Sequence, residues 1–135
     1  MLTKQTISLA DAKVIAAAAS AKAVAEGWTV VIAILDNAGY LVYLERADGT
    51  QLGSVFVAQE KAKTALLFRR PTKAMEDGVL GGKIHMLSLP GATAVEGGLP
   101  LIKDGEIVGS IGVSGVLSSQ DGQVAAAGLE AVAKL

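Results

Sequence analysis

Between Val95 and Gly115 the chain reads VEGGLPLIKDGEIVGSIGVSG. Lys103-Asp104-Gly105 divides it into two apolar runs, LPLI (99–102) and EIVGSIGVSG (106–115), which is the pattern of a β-hairpin closed by a tight turn. Glycine inside a strand has no side chain to pack and loses more backbone entropy than any other residue. Gly97, Gly98, Gly109, Gly112 and Gly115 therefore need a compensating reason. By strand parity Gly109 and Gly115 share one face and Gly112 lies on the other. Two readings fit. Either the strand is squeezed between helices built of small residues, or the missing side chains leave room for a flat ligand against the main chain.

The rest of the chain supplies such helices. Ser8 and Asp11 form an S-x-x-D capping signature with Ile7 in the staple position. The alanine-rich helix that follows runs to about Glu26, with Gly27 as its C-terminal stop. WTVVIAIL (28–35) is a β-branched apolar run suited to a central strand covered on both sides. Asp36-Asn37-Ala38-Gly39 turns the chain, and YLVYLERA (40–47) pairs back. A helical pattern covers Leu52 to Phe68 and ends before Pro71. A short helix follows Thr72, residues 78 to 94 read as loop, and Ser118 with Asp121 caps a final alanine-rich helix. Antiparallel pairs separated by helices predict one α+β domain, with a single antiparallel sheet covered by helices.

At 135 residues a chain buries enough surface to form a core without staples, and the absence of cysteine removes disulfide and thiolate chemistry. A net charge of −1 leaves no electrostatic footprint for nucleic acid. The run Val30–Leu35 is far shorter than the ~20 residues of a membrane span, so no membrane partner is expected. The N-terminal MLTKQTISLADAK lacks an apolar signal segment, which predicts a cytoplasmic protein. A mean hydropathy of +0.47 with few charges predicts burial against further copies of the same chain.

Chemistry-bearing residues are few. His85 is the only histidine, and it is a candidate axial ligand, base or plain loop residue. Met86 beside it reads first as packing. No cluster of His, Asp and Glu has metal-site spacing, so no metal site is expected. Arg69 and Arg70 end the central helix, where they either complement the helix dipole or grip a carboxylate with the guanidinium fork. Glu96 precedes the Gly97-Gly98 pair, whose backbone N–H groups could face an anion. Ser114 sits in the glycine-rich strand. Lys61 and Lys63 on the central helix are expected on a solvated face. Together Arg69, Arg70, His85, Glu96, Gly97, Gly98 and Ser114 make the candidate ligand-binding set, with the anion expected between the Arg69-Arg70 exit and the Glu96-Gly97-Gly98 turn. No nucleophile, base and oxyanion site can be assembled, so no catalytic residue is assigned.

GGLPLIKDGEIVGSIGVSG closely resembles the signature of the GlcG/HbpS-like family, also called DUF336 or haem-degrading-domain-like, which includes the C-terminal domain of PduO-type proteins. LDNAGYLVYLERADG (35–49) resembles that family's strand-turn-strand element, and EKAKTALLFRRPT (60–72) its central helix and Arg-Arg-Pro exit. The resemblance spans essentially the whole chain. It implies a profilin-like layered α+β fold with a roughly five-stranded antiparallel sheet and a dimer-based symmetric homo-oligomer. It also implies haem or a related tetrapyrrole as a possible cofactor. Three functions follow as alternatives: a haem or tetrapyrrole-binding protein, an enzyme or accessory protein acting on a small carboxylated metabolite, or a purely structural assembly protein. Binding of a small anionic ligand is favoured over catalysis.

Overall fold

The computed structural model describes all 135 residues. Helix α1 (Leu9–Glu26) leads into strands β1 (Val31–Asp36) and β2 (Leu41–Arg46). Helices α2 (Ser54–Phe68) and α3 (Thr72–Leu80) follow, then a 3-10 turn at Ile84–Ser88. Strands β3 (Gly98–Lys103) and β4 (Glu106–Ser114) precede helix α4 (Ser118–Ala131), and a 3-10 turn at Val132–Lys134 closes the chain. The strands form one antiparallel sheet in the order β2-β1-β4-β3. The sheet has four strands, one fewer than the resemblance implies.

Local chemistry accounts for most of these boundaries. Ser8 accepts the Asp11 N–H at 3.1 Å and Asp11 accepts the Ser8 N–H at 2.9 Å, so the capping box is complete. Gly27 ends α1 in the left-handed conformation. Asp104 and Gly105 both have positive φ, 50° and 78°, as a two-residue hairpin turn with right-handed strand twist requires. Pro100 sits in β3, an edge strand, where its missing N–H breaks no inner ladder.

Several local expectations are corrected. β1 begins at Val31, three residues later than the apolar run suggests. Residues 78 to 94 are not all loop, since α3 runs on to Leu80 and the 3-10 turn occupies Ile84–Ser88. Ser118 is not a cap. It is the first residue of α4, and the flanking backbone is served instead by Gln120, which accepts the Leu117 N–H at 3.2 Å, and Asp121, which accepts the Val116 N–H at 3.1 Å.

The sheet separates two layers. Helices α1 and α4 pack together on one face and bury the main apolar cluster, including Ile15, Ile32, Ile34, Leu101, Ile111 and Val113. Helix α2 covers the other face, where the apolar cluster is only Val31, Ala33 and Ala58. Gly112 explains that small cluster. A Cβ there would collide with the Ala58 carbonyl and the Ala62 amide, so α2 lies with its backbone directly on β4. Of the two readings of the glycine-rich strand, the squeezed one describes Gly112, and no cavity opens above it.

Candidate functional site

The α2 face holds the molecule's one buried ion pair. Ala58, Ala62 and Ala65 form the inward stripe of α2, and Lys61 lies on the same stripe, 2% exposed. The expectation of a solvated Lys61 is therefore wrong, because the helical period turns it into the sheet. Its Nζ donates to the Val113 carbonyl at 3.0 Å and to Asp121 Oδ2 at 3.1 Å. The side chain reaches from α2 past the end of β4 to the first turns of α4. Burial pushes the Asp121 carboxyl above the usual carboxylate range, against the opposing pull of Lys61 and of the Val116 and Gly115 amides.

The Gly97-Gly98 pair belongs to this arrangement. A Cβ at Gly97 would stand 2.8 Å from Lys61 Nζ and against the Val113 carbonyl. One at Gly98 would strike the Lys61 carbonyl. The Gly98 N–H donates to Thr72 Oγ1 at 2.8 Å. Both glycines are buried, and their missing side chains accommodate α2 and the lysine stem. Ser114 is also buried, with its hydroxyl donating to Ser54 Oγ at 3.0 Å. Ser110 Oγ, also on this face, is buried without a partner.

The other candidate residues lie apart from that junction or at its rim. Glu96 is half-buried, with its backbone N–H on Glu76 Oε1 at 3.3 Å and its carboxylate resting on Gly122 of α4. Arg70 is exposed, and its Nε donates to the Phe68 carbonyl at 3.0 Å. Arg69 ends α2 in the left-handed conformation, φ 56°. His85 is exposed in the Ile84–Ser88 turn, where its carbonyl accepts from Ser88 Oγ while its ring makes no hydrogen bond. Met86 turns inward, with its sulfur against Gly78. No group of three His, Cys, Asp or Glu side chains is placed to hold a metal ion.

The molecule has two cavities. The larger, about 510 Å³, lies between the N-terminal segment, the β1–β2 turn, the end of α2 and the β3–β4 turn. The smaller, about 300 Å³, lies beside it against Ile7 and Val108. Of the seven candidate residues only Arg69 lines a cavity. Lys61 and Asp121 are what reading the sequence missed as buried groups. The available signal was the i, i+3, i+4, i+7 spacing of Ala58, Lys61, Ala62 and Ala65.

Haem needs an axial donor and an apolar surface for its ring. The unbonded imidazole of His85, with exposed Leu80, Ile84 and Leu87 in the same stretch of chain, fits that requirement on an open surface. The inward sulfur of Met86 does not supply a second donor beside it. No helix is long and apolar enough to cross a membrane.

Comparison with known proteins agrees with this architecture. Residues 7–130 match the family model described as haem degrading protein HbpS-like. The chain is 41% identical over 114 residues to Protein GlcG of Escherichia coli K12, covering 84% of this chain and 85% of that one. The crystal structure of Klebsiella pneumoniae protein ORFY superposes with a TM-score of 0.91 at 28% identity, covering 100% of this chain and 96% of that one. The crystal structure of a PduOC:heme complex superposes with a TM-score of 0.83 at 27% identity, covering 93% of this chain and 94% of that one.

Proposed function

This chain belongs to the HbpS-like family, and from that membership we propose that it is a ligand-binding protein for haem or a related tetrapyrrole. The observation that carries this reading is the similarity, over nearly the whole chain, to a protein solved as a heme complex. A shared fold alone does not assign a function. The reading therefore also rests on His85, whose ring nitrogens are free and exposed. His85 is assigned as the axial donor. Bound haem would supply a coordinated iron with a visible absorption band, and the chain would supply the imidazole and an apolar bed from Ile84 and Leu87. The surface is open rather than closed, so exchange of the ligand is favoured over permanent burial.

A haem titration followed by absorption tests this. A saturable shift of the Soret band is expected, with His85→Ala changing the bound spectrum. Absence of any spectral change at equimolar haem overturns the haem reading. An unchanged bound spectrum in His85→Ala overturns the ligand assignment.

A further inference from the structure

We propose that the larger cavity is a separate binding site for an organic monocarboxylate with an apolar body. Its carboxylate is held by Lys4 and Arg69, and its body lies on Leu66, Leu67 and Ile107.

The charges point to an anion. The ion pairs of the molecule are Lys22–Glu26, Lys61–Asp121 and Lys73–Asp77, so Lys4, Arg69 and Glu106 all face the cavity without a charged partner. Two cations against one carboxylate leave a single excess positive charge, which matches one carboxylate of a ligand. Glu106 repels a second. The guanidinium fork can take a carboxylate through two parallel hydrogen bonds.

Arg69 adds a second observation. Its left-handed backbone occupies the helix-stop position that glycine fills most easily. A non-glycine residue there carries strain. Arg70 beside it satisfies its Nε on the Phe68 carbonyl, whereas the Arg69 guanidinium has no hydrogen bond within the chain. A cation at the helix C-terminus complements the dipole, which either arginine does; what sets Arg69 apart from Arg70 is that it lines the cavity.

The walls are held in place before any ligand arrives. Asn37 donates its backbone N–H to Thr6 Oγ1 at 3.0 Å and its Nδ2 to the Gln5 carbonyl at 2.9 Å. The Ile7 N–H donates to the Val108 carbonyl at 3.1 Å. These bonds anchor the segment that carries Lys4, which lowers the ordering cost of binding. The volume of about 510 Å³ lies in the range of small-molecule sites.

Phenylacetate is the test probe, with phenylacetamide as its neutral counterpart and phenylmalonate as a dianion. Binding is followed by calorimetry and by methyl NMR of leucine and isoleucine. Saturable phenylacetate binding is expected, with shifts at Leu66, Leu67 and Ile107 and both controls weaker. Arg69→Gly permits the same left-handed backbone conformation and removes the guanidinium fork with its stem. It should weaken phenylacetate by about tenfold or more, the worth of a charge-assisted bond, with no loss of thermal stability. Lys4→Gln should act in the same direction. The proposal is overturned if the amide or dianion binds as well as phenylacetate, if the shifts fall elsewhere or do not occur, or if Arg69→Gly binds as tightly as the parent. His85 does not line this cavity, so this experiment and the haem titration fail independently.

Discussion

The two faces of the sheet are held by different physics. On the α1/α4 face, branched side chains of β1 and β4 interlock with isoleucine, valine and alanine from the helices, and the contact is hydrophobic burial. On the α2 face, glycine and alanine bring backbone onto backbone, and buried polar side chains, Ser54, Lys61, Thr64, Thr72, Ser110 and Ser114, stand among the small apolar ones. Burial of apolar area tolerates small shape changes. Close backbone approach and buried polar bonds do not, because neither an atom nor a partner can be spared. The α2 face should therefore be the more fragile, although it contains the smaller apolar cluster.

The sharpest way to break this contrast is Lys61→Met. It leaves Asp121 buried without its cation, and breaking a buried pair from one side costs about 3–5 kcal/mol. Urea unfolding should show a loss of that size. Adding Asp121→Asn removes the bare carboxylate while its amide oxygen still accepts the Val116 N–H, so the double variant should recover part of the loss. Equal stability of parent and Lys61→Met would mean that the pair does not hold the α2 face together.

A smaller effect comes from one methyl group placed on each side. Gly112→Ala drives a Cβ into the Ala58 carbonyl and the Ala62 amide, which are backbone and cannot rotate away. Overpacking typically costs about 1–3 kcal/mol, and the upper part of that range is expected here. Ile32→Val on the opposite face removes one methylene and should cost about 0.5–1.5 kcal/mol. Thermal melts that rank Ile32→Val as the more damaging would reverse the assignment of the fragile face.

The same contrast explains what could be read from the chain beforehand. Features set by local chemistry were legible: the Ser8/Asp11 box, the Gly27 stop, the Asp104-Gly105 turn and the central β1. The glycine of β4 announced a close approach, but not what approached. Gly97 and Gly98 looked like an anion-binding turn because a glycine pair exposes backbone in the absence of a neighbour. Their neighbour is Lys61, distant in sequence on α2, and only tertiary structure supplies it. Arg69 was legible as a helix-end cation. The cavity it lines was not, because its walls come from the N-terminal segment and two separate turns.

The smallest of the expected effects is a pH dependence, and its sign is the informative quantity. Burial raises the folded-state pKa of Asp121 above its value in the unfolded chain, near 4. Between those two values the folded state binds the additional proton. Stability from this group is therefore greatest below the unfolded pKa and declines as pH rises through the folded one. The pair's double variant, Lys61→Met with Asp121→Asn, has neither ionisable group, while the other carboxylates remain common to both proteins. Melting temperatures measured across the acid range should show the parent's advantage over the double variant shrinking as pH rises from about 4. An advantage that grows with pH would mean that Lys61 and the Val116 amide outweigh desolvation. Asp121 would then be a net favourable carboxylate, and the polar α2 face would be stabilised by its charges rather than only tolerating them.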